Sequence, residues 1–340
     1  MGCFSFRKEL AIDLGTTNTR IGYKDKIVVN QPSIVVISAS TGKVIASGER
    51  ALKAYGKTHE DINVVKPLKD GVIANYDAAL QMIQGMIKIT NKRNFLFLFS
   101  LKIVISIPAG CTEVERRAIR DLSEHAGGRN VYMIYKPVAA AIGIGLNVNA
   151  AEGIMVIDIG GGITEIAVIA LGGIVGFESL RVAGNVFTSD IQSYIRHHYN
   201  INIGENTAEK IKIEVGSALV ELASPPPDFT VRGPNIITAM AAEVSLSYDE
   251  IACCLDKSVS KIETAILSVI EQTPPELYAD IVQRGIYLTG GSALLRGMAK
   301  RFSDKINIPI HVAEDPMLTV VRGTEIVIKN MDKFSSLLLT

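Results

Sequence analysis

The chain has 340 residues with 35 basic and 35 acidic side chains, so its formal net charge at pH 7 is zero. Nucleic-acid-binding proteins normally carry a basic footprint, and we therefore expect no nucleic-acid partner. Hydrophobic residues make up 48% of the chain, and its length exceeds the size at which a single core usually stops growing. Four cysteines without metal-ligand spacing and an N-terminus without a signal-peptide pattern indicate a reducing, cytosolic setting. The composition predicts a soluble protein of two domains.

The predicted elements of the first half alternate between strands and helices. Strands are predicted at 9–13, 19–23, 26–29 and 33–38, and a small excursion at 42–66 contains a short helix over 49–55. A helix over 77–90 capped by Asp77 comes next, followed by a buried strand at 102–107. Thr112 and Glu115 form a capping-box pattern that starts a helix ended by Gly127 and Gly128. A strand at 132–134 and a helix over 138–145, with Pro137 at its start, complete this half.

The second half repeats this plan. Strands are predicted on both sides of Asp158 and at 165–170, 174–181, 229–231 and 285–289. Helices are predicted at 186–197, at 207–222, from a cap at Ser247 and Glu250 to Gln272, and at 292–303. Strands that alternate with helices at this spacing indicate an α/β protein with mainly central sheets.

Three glycine loops each follow an apolar strand. The first is Asp13-Leu14-Gly15-Thr16-Thr17-Asn18, the second is Asp158-Ile159-Gly160-Gly161-Gly162-Ile163-Thr164, and the third is Gly290-Gly291-Ser292-Ala293. Glycine lets backbone N–H groups approach a phosphate closely, and a neighbouring Asp suits a hydrated Mg²⁺. A single loop of this kind is often only a hairpin turn. Two acidic loops and a third glycine loop together predict two related half-domains that bind one nucleotide.

Long phrases around these loops resemble the MreB family of bacterial actin homologues, within the actin/Hsp70/sugar-kinase superfamily. The resemblance covers essentially the whole chain, and its most specific stretches include 67–74, 112–119, 139–145, 203–216 and 284–297. It implies an actin-like two-domain α/β fold with duplicated βββαβα-type cores around a nucleotide cleft. The domain bounds it implies are 1–142 with 316–340 for domain I and 143–315 for domain II. Small subdomains are expected at about 31–66 and 182–244.

The resemblance also implies ATP or ADP with Mg²⁺ as cofactors. The residues expected to bind the nucleotide are Gly15, Thr16, Thr17, Asn18, Gly160, Gly161, Gly162, Gly184, Glu209, Lys212, Gly290, Gly291, Ser292 and Ala293. Asp13 and Asp158 are expected to hold Mg²⁺ through water. Glu209 and Lys212 lie three positions apart on a predicted helix and are expected to hold the adenosine. Without the surrounding resemblance, the same pair could equally be an exposed helix ion pair.

Two positions depart from the family pattern. MreB proteins normally have Glu-Glu-Pro where this chain has Tyr135-Lys136-Pro137, and Gly-Gly-Gly-Thr-Thr where it has Gly160-Gly161-Gly162-Ile163-Thr164. Lys136 is thus expected to occupy the position of the family's water-orienting glutamate. Ile163, next to Thr164, is expected to occupy the position of the first threonine. This pattern is similar to the divergent MreB paralogues of wall-less helical bacteria of the Spiroplasma type.

Both departures predict slow ATP hydrolysis. A lysine ammonium, with a reference pKa of about 10.4, cannot accept a proton from water, and isoleucine has no hydroxyl to orient it. Losing one such group commonly costs roughly 10²–10³-fold in rate. The alternative is that Lys136 lies away from the reacting atoms and that another acid replaces it.

An apolar run, Phe95-Leu96-Phe97-Leu98-Phe99, follows Lys92 and Arg93. It is too short to span a bilayer, which needs about 20 apolar residues. MreB proteins typically carry a membrane-insertion loop at this place, and the alternative is a buried strand from Phe95 to Ile107.

The leading hypothesis is therefore a cytoskeletal protein that polymerises into filaments at the inner face of the cell membrane and governs cell shape. Expected partners are further copies of the chain in paired protofilaments, the membrane surface and other actin-like paralogues. A chaperone ATPase or a sugar kinase would share the three loops. The first would need a substrate-binding domain, and the second a sugar pocket with a base. Neither is identifiable in this sequence.

Overall fold

The structure is a computed structural model that describes residues 7–57, 59–90 and 100–339. The chain divides into two compact units. The first unit comprises the described residues of Met1–Glu152, Ile169–Phe177 and Met317–Thr340, and the second comprises Gly153–Val168 and Glu178–Pro316. None of the helices in this described part is long and apolar enough to cross a membrane. The domain bounds implied by the family resemblance stay a prediction.

The N-terminal half of the chain contains ten strands and four helices among its described residues. The strands are β1 (Arg7–Leu14), β2 (Asn18–Tyr23), β3 (Lys26–Pro32), β4 (Val35–Ser38), β5 (Val44–Ser47), β6 (Ile62–Val65), β7 (Leu68–Lys69), β8 (Val72–Ile73), β9 (Ser100–Ile107) and β10 (Gly128–Tyr135). The helices are α1 (Glu49–Ala54), α2 (Tyr76–Ile89), α3 (Glu113–His125) and α4 (Lys136–Ile144).

The main sheet of the first unit has the strand order β10-β9-β1-β2-β3. β1 pairs with β2 in antiparallel register and with β9 in parallel register, and β10 adds to β9 in parallel. The central strands are apolar on both faces, and Leu10, Ile12, Ile103 and Ile105 are at most 1% exposed. Burial on both faces is typical of strands at the centre of an α/β sheet, which explains the continuous apolar runs in the sequence.

Local signals place the helix starts of the first unit with one correction. Thr112 and Glu115 form the predicted capping box at the start of α3. At α2 the predicted Asp77 cap is wrong, because the Asn75 side chain accepts the hydrogen bond from the Ala78 N–H. The helix therefore begins one residue earlier than predicted. Asp77 lies in its first turn, where a carboxylate stabilises the helix by interacting with the helix dipole.

The C-terminal half continues with seven strands and six helices within the described residues. The strands are β11 (Ile154–Ile159), β12 (Thr164–Ala170), β13 (Gly173–Leu180), β14 (Phe229–Pro234), β15 (Ala241–Leu246), β16 (Ile286–Thr289) and β17 (Ile310–Val312). The helices are α5 (Gly184–Tyr199), α6 (Glu205–Glu214), α7 (Tyr248–Glu271), α8 (Pro275–Arg284), α9 (Met298–Ile306) and α10 (Thr319–Lys329), and 3₁₀ turns lie at Gly291–Leu294 and Ser335–Leu337.

The second main sheet repeats the strand order of the first. Its order is β13-β12-β11-β16-β17, with β11 parallel to β16 and β16 parallel to β17. In both sheets the first strand of a three-strand run lies at the centre, beside a strand reached much later in the chain. The predicted α/β class and the duplicated core are therefore confirmed.

Three predicted elements of the second unit differ from the structure. α6 ends at Glu214 and does not reach residue 222. The predicted helix over 292–303 is instead a 3₁₀ turn followed by α9, because Gly297 takes a left-handed conformation, with φ of 75°, between them. Ser247 precedes α7 without a side-chain capping bond, because its hydroxyl bonds to the Asp249 carboxylate. The Glu250 carboxylate, the other half of the predicted box, accepts hydrogen bonds from Tyr194 and Tyr199. Helix α8 was not predicted from the sequence.

A close contact between α4 and α10 fixes the base of α4 in the first unit. A Cβ added at Gly323 would lie 1.7 Å from the Ala139 carbonyl oxygen, and one at Gly143 would lie 1.9 Å from the Thr319 carbonyl oxygen. Only glycine allows the two backbones to approach this closely. Because Lys136 is the first residue of α4, this contact also positions Lys136.

We expect Gly323→Ala to lower the melting temperature of the protein. Overpacking against a backbone atom costs about 1–3 kcal/mol or more, which outweighs the roughly 1 kcal/mol that alanine contributes to helix propensity. Thermal unfolding followed by circular dichroism measures the change. Gly176→Ala serves as the control, because a Cβ there meets nothing within 4 Å. Equal melting temperatures for the two variants would contradict the tight α4–α10 contact.

Candidate nucleotide site

The first glycine loop, between β1 and β2, is closed by its own backbone and by one buried serine. A Cβ at Gly15 would lie 2.5 Å from the Asn18 carbonyl oxygen, so the turn requires glycine. The Ser33 hydroxyl donates to the Gly15 carbonyl oxygen at 2.7 Å, and the Ser33 N–H donates to the Thr17 carbonyl oxygen at 2.8 Å. The Thr16 hydroxyl accepts from the Gly71 N–H at 3.1 Å. The loop is thus held in one shape by contacts within its own unit.

Asp13, at the end of β1, is buried among donors. Lys136 Nζ lies 3.2 Å from Asp13 Oδ1, and Arg20 Nη1 lies 3.5 Å from Oδ2. The Ser106 hydroxyl donates to Oδ1 at 3.0 Å. Burial raises the pKa of the Asp13 carboxyl, but the Lys136 and Arg20 cations and the hydrogen bonds lower it by more, so the pKa lies below its usual value. Asp13 is therefore an ionised, internally paired carboxylate, and its surroundings do not fit an outer-sphere Mg²⁺ ligand.

Lys136 stands where the family pattern has its water-orienting glutamate. It follows β10 directly and is only 8% exposed. Its ammonium donates to the Leu14 carbonyl oxygen at 3.1 Å in addition to pairing with Asp13. The side chain therefore lies at the base of the first glycine loop. An ammonium held in this way donates hydrogen bonds and accepts none, so it cannot act as a general base.

The second glycine loop, between β11 and β12, is bound to the start of α5. The Gly184 N–H donates to the Gly160 carbonyl oxygen at 3.1 Å, and the Asn185 N–H donates to the Gly161 carbonyl oxygen at 2.7 Å. The loop closes on itself through the Gly160 N–H, which donates to the Ile163 carbonyl oxygen at 3.0 Å. Gly162 is buried at the middle of the turn.

Thr164 does not replace the hydroxyl that Ile163 lacks. Its side chain is fully buried, and its Oγ1 donates to the Val182 carbonyl oxygen at 2.6 Å. That hydroxyl is committed to the backbone of its own unit. The second loop therefore has no threonine hydroxyl available for water at either position.

The third loop lies against the second one and needs glycine to do so. A Cβ at Gly290 would lie 2.4 Å from Asp158 Oδ1 and 2.3 Å from the Ile159 carbonyl oxygen, and its φ is 87°. The Ser292 hydroxyl donates to the Gly160 carbonyl oxygen at 3.1 Å. Gly291 and Ala293 belong to the 3₁₀ turn that follows. Asp158, at 9% exposed, therefore lies where the second and third loops meet.

Glu209 and Lys212 on α6 form a cluster with α5. Lys212 Nζ donates to Glu209 Oε2 at 2.6 Å, to the Gly184 carbonyl oxygen at 2.9 Å and to the Thr188 hydroxyl at 3.0 Å. The Thr188 hydroxyl also donates to Glu209 Oε2, at 2.5 Å. The Lys212 side chain is 12% exposed, whereas that of Glu209 is 42% exposed. This pair is thus anchored to a second helix and is not a freely exposed helix ion pair.

Gly184 connects this cluster to the loops. A Cβ there would lie 2.9 Å from Ser292 Oγ and 3.3 Å from both Lys212 Nζ and the Gly160 carbonyl oxygen. The second unit therefore brings its predicted nucleotide residues together, and the first unit brings together Asp13, Lys136 and the loop from Gly15 to Asn18. The apolar run Phe95-Phe99 lies outside the described residues.

Sequence reasoning missed three contributors to these clusters. Arg20 faces Asp13 as its direct cross-strand neighbour in the β1–β2 hairpin, a pairing that a register assignment could have found. Thr188 lies one helical turn after Gly184, a spacing that places both on one face of α5. Ser33 gave no signal, because it reaches the first loop from the far end of β3.

Three comparisons place the chain among known proteins. The family model described as MreB/Mbl protein matches residues 7–336. The cell shape-determining protein Mbl of Bacillus subtilis is 41% identical over 330 residues, which cover 96% of this chain and 98% of Mbl. Crystal structures of MreB5 of Spiroplasma citri bound to AMPPNP and to ADP align with TM-scores of 0.91 at 35% identity, covering 97% of this chain and 98% of MreB5.

A more distant match concerns the fold alone. A double helical filament of MamK aligns with a TM-score of 0.78 at 19% identity, over 95% of this chain and 99% of MamK. The fold is therefore actin-like, as the resemblance implied. With a family model that spans nearly all of its length and a curated relative at 41% identity, the chain belongs to the MreB/Mbl family of actin-like proteins.

Proposed function

We propose that this chain binds ATP and polymerises into actin-like filaments at the inner face of the cell membrane, where it contributes to cell shape, and that it hydrolyses ATP slowly. The observation that carries the proposal is the ion pair between Lys136 and Asp13 at the base of the first glycine loop. Lys136 stands in place of the acid on which hydrolysis depends in the family, and the ion pair holds it there, while the clusters expected to bind the nucleotide stay assembled.

Nucleotide binding is supported by the arrangement of the second unit. Gly184 packs closely against Lys212 and Ser292, which keeps these predicted nucleotide residues together, and the Glu209 carboxylate is exposed enough to accept hydrogen bonds from a ribose. Glycine N–H groups of the second and third loops suit phosphate oxygens. The MreB5 structures, with a non-hydrolysable ATP analogue and with ADP, support the same class of ligand for this relative of theirs.

We expect Lys212→Met to weaken ATP binding at least about tenfold, a loss of roughly 1.4 kcal/mol. The substitution removes the ammonium that holds Glu209, Thr188 and the start of α5 in one cluster. Binding of a fluorescent ATP analogue, titrated at equilibrium, gives the affinity. Lys210→Met is the matched control, because Lys210 is exposed on the same helix. Equal affinities for the two variants would remove the α6 cluster from the nucleotide site.

Slow hydrolysis follows from what the two altered positions do. Phosphoryl transfer depends almost entirely on positioning and electrostatics, so a displaced or unactivated water leaves little catalysis. Lys136 donates hydrogen bonds and accepts none, and Ile163 offers only carbon atoms. The Thr164 hydroxyl is already bonded to Val182. Neither altered position, nor the Thr164 hydroxyl, therefore takes the role of the missing base.

A bound Mg²⁺ would neutralise phosphate charge in this kind of site. Asp158 is suitably placed to hold this ion, since its carboxylate lies where two glycine loops meet. Asp13 does not fit, because both of its oxygens already accept from Lys136, Arg20 and Ser106. No cluster of three or more potential metal ligands occurs among the described residues, so direct coordination by the protein is not indicated.

The double variant Lys136→Glu/Ile163→Thr is expected to release phosphate at least about tenfold faster than the wild type, which lowers the barrier by about 1.4 kcal/mol. Pelleting of the same samples over time should show wild-type filaments persisting in ATP and variant filaments shortening as ATP is consumed. Lys305→Glu/Ile213→Thr makes the same chemical changes at exposed positions and is the control. A wild type as fast as the double variant would exclude these two positions from hydrolysis.

Filament formation is supported by family membership and by the actin-like fold. The relative Mbl is named a cell shape-determining protein, and MamK, which shares the fold, is known as a double helical filament. Paired protofilaments and mixed assemblies with other actin-like paralogues are the forms we expect for this chain. Neither form is needed for the nucleotide chemistry above.

Membrane association rests on the run from Phe95 to Phe99. Each large apolar side chain contributes about 1.5–3 kcal/mol when fully buried, and a shallow loop realises part of that. Lys92 and Arg93 add about 1 kcal/mol each near an anionic surface, so binding should weaken with salt. A filament that presents many copies would bind by avidity.

Phe97→Ser/Leu98→Ser is therefore expected to lose co-flotation with anionic liposomes while it still pellets as filaments. Val175→Ser/Phe177→Ser is a matched control, since both side chains are exposed apolar residues of β13, about half accessible to solvent (47% and 50%). Flotation of the Phe97/Leu98 variant at the wild-type level would disprove the loop assignment. A misfolded Phe97/Leu98 variant would instead favour the buried-strand alternative.

A further inference from the structure

The positive charge of two side chains next to Asp13 exceeds the negative charge of its carboxylate. Within the first unit, one carboxylate faces the Lys136 ammonium at 3.2 Å and the Arg20 guanidinium at 3.5 Å. These three groups together carry one net positive charge. A divalent cation brought next to them meets repulsion, whereas a triphosphate meets attraction.

The hydrogen-bonding capacity of Asp13 is also largely used. A carboxylate has roughly four lone-pair sites, and Asp13 accepts from Lys136, Arg20 and Ser106. The Asp13 side chain is 7% exposed. A hydrated metal ion would need these same oxygens as acceptors for its water ligands, and little of their capacity is left for it.

The Lys136 ammonium lies where its charge can act on a ligand of the first loop. It donates to the carbonyl oxygen of Leu14, the residue directly before Gly15. The loop from Gly15 to Asn18 is only partly covered, and Thr17 is exposed. Lys136 is also fixed by the α4–α10 contact, so its charge is in place before any ligand binds.

Arg20 completes this arrangement. It is 9% exposed, and Asp13 is the acid it pairs with among the described residues. Its Nε has no hydrogen-bond acceptor in that part of the chain. The Arg20 guanidinium thus lowers the pKa of the Asp13 carboxyl and helps to keep it ionised beside the Lys136 ammonium.

We propose that nucleotide binding by this chain does not require Mg²⁺, because the Lys136 ammonium supplies at Asp13 the positive charge that a metal ion would otherwise bring to the phosphates. This inference rests on the nucleotide binding proposed above. It concerns a requirement of binding, not the rate of hydrolysis.

The test compares the affinity of the full-length protein for a fluorescent ATP analogue in excess MgCl₂ and in excess EDTA, below the concentration at which filaments form. The wild type is expected to bind with affinities that differ by at most about threefold between the two conditions. Lys136→Met keeps the aliphatic stem but removes the charge, and it should bind at least about tenfold more weakly in EDTA than in Mg²⁺. Lys136→Arg should keep the wild-type ratio, as should the exposed control Lys305→Met.

Each outcome supports or contradicts binding without Mg²⁺. Wild-type binding that requires Mg²⁺ overturns this inference and leaves the proposed nucleotide binding intact. Absence of binding in both conditions overturns the proposed function and this inference with it. A wild-type ratio near one that Lys136→Met leaves unchanged shows that Lys136 is not the source of the charge. If Lys136→Met does not fold, the wild type and Lys136→Arg still decide, since a Mg²⁺ requirement in either contradicts the proposal.

Discussion

The buried ion pair between Lys136 and Asp13 is the constraint from which the character of the site follows. Removing one partner of a buried pair commonly costs about 3–5 kcal/mol, because the other charge is left without compensation. Here the side chains are 11% and 7% exposed, and each has a further partner, Leu14 for the ammonium and Ser106 for the carboxylate. The end of β1 and the start of α4 are therefore tied together electrostatically. A change that removes the charge at one position alone leaves the other charge buried without its partner.

The two units share one sheet topology but differ in the charges around their glycine loops. In each, a buried strand at the centre of a five-stranded sheet ends in an aspartate and a glycine turn. The first unit closes its aspartate with two cations supplied by a cross-strand arginine and a helix-start lysine. The second packs Asp158 against Gly290, where any side chain would clash with the carboxylate. The shared strand order thus gives the two loops equivalent positions, and a few side chains determine the charge around each.

The sequence predicted what depends on local pattern and missed what depends on distant partners. Apolar runs that end in Asp and glycine located both acidic loops, and the Thr112 capping box located α3. The Ser247 cap was wrong because the Ser247 hydroxyl bonds to the Asp249 carboxylate and the Glu250 carboxylate accepts from two tyrosines of α5. No local pattern reveals the tyrosine contacts. The same holds for the site. Lys136 was singled out by its departure from the family, but its pairing with Asp13 and Arg20 depends on strand order and register, which only the folded sheet provides.

If the nucleotide binds as proposed, a fixed cation beside its phosphates changes what the nucleotide can signal. In a site whose positive charge comes from a metal, that charge can leave with the nucleotide, and a glutamate that activates water sets how soon the γ-phosphate is lost. On the proposed function, the positive charge in this chain belongs to α4 and would persist through every ligand state, while neither Lys136 nor Ile163 would speed hydrolysis. On the proposed function, occupancy of the site rather than turnover would then bias assembly, since any ligand that binds one state preferentially shifts the equilibrium toward it. Filaments regulated in this way would respond to nucleotide concentration and to partner subunits more than to their own age.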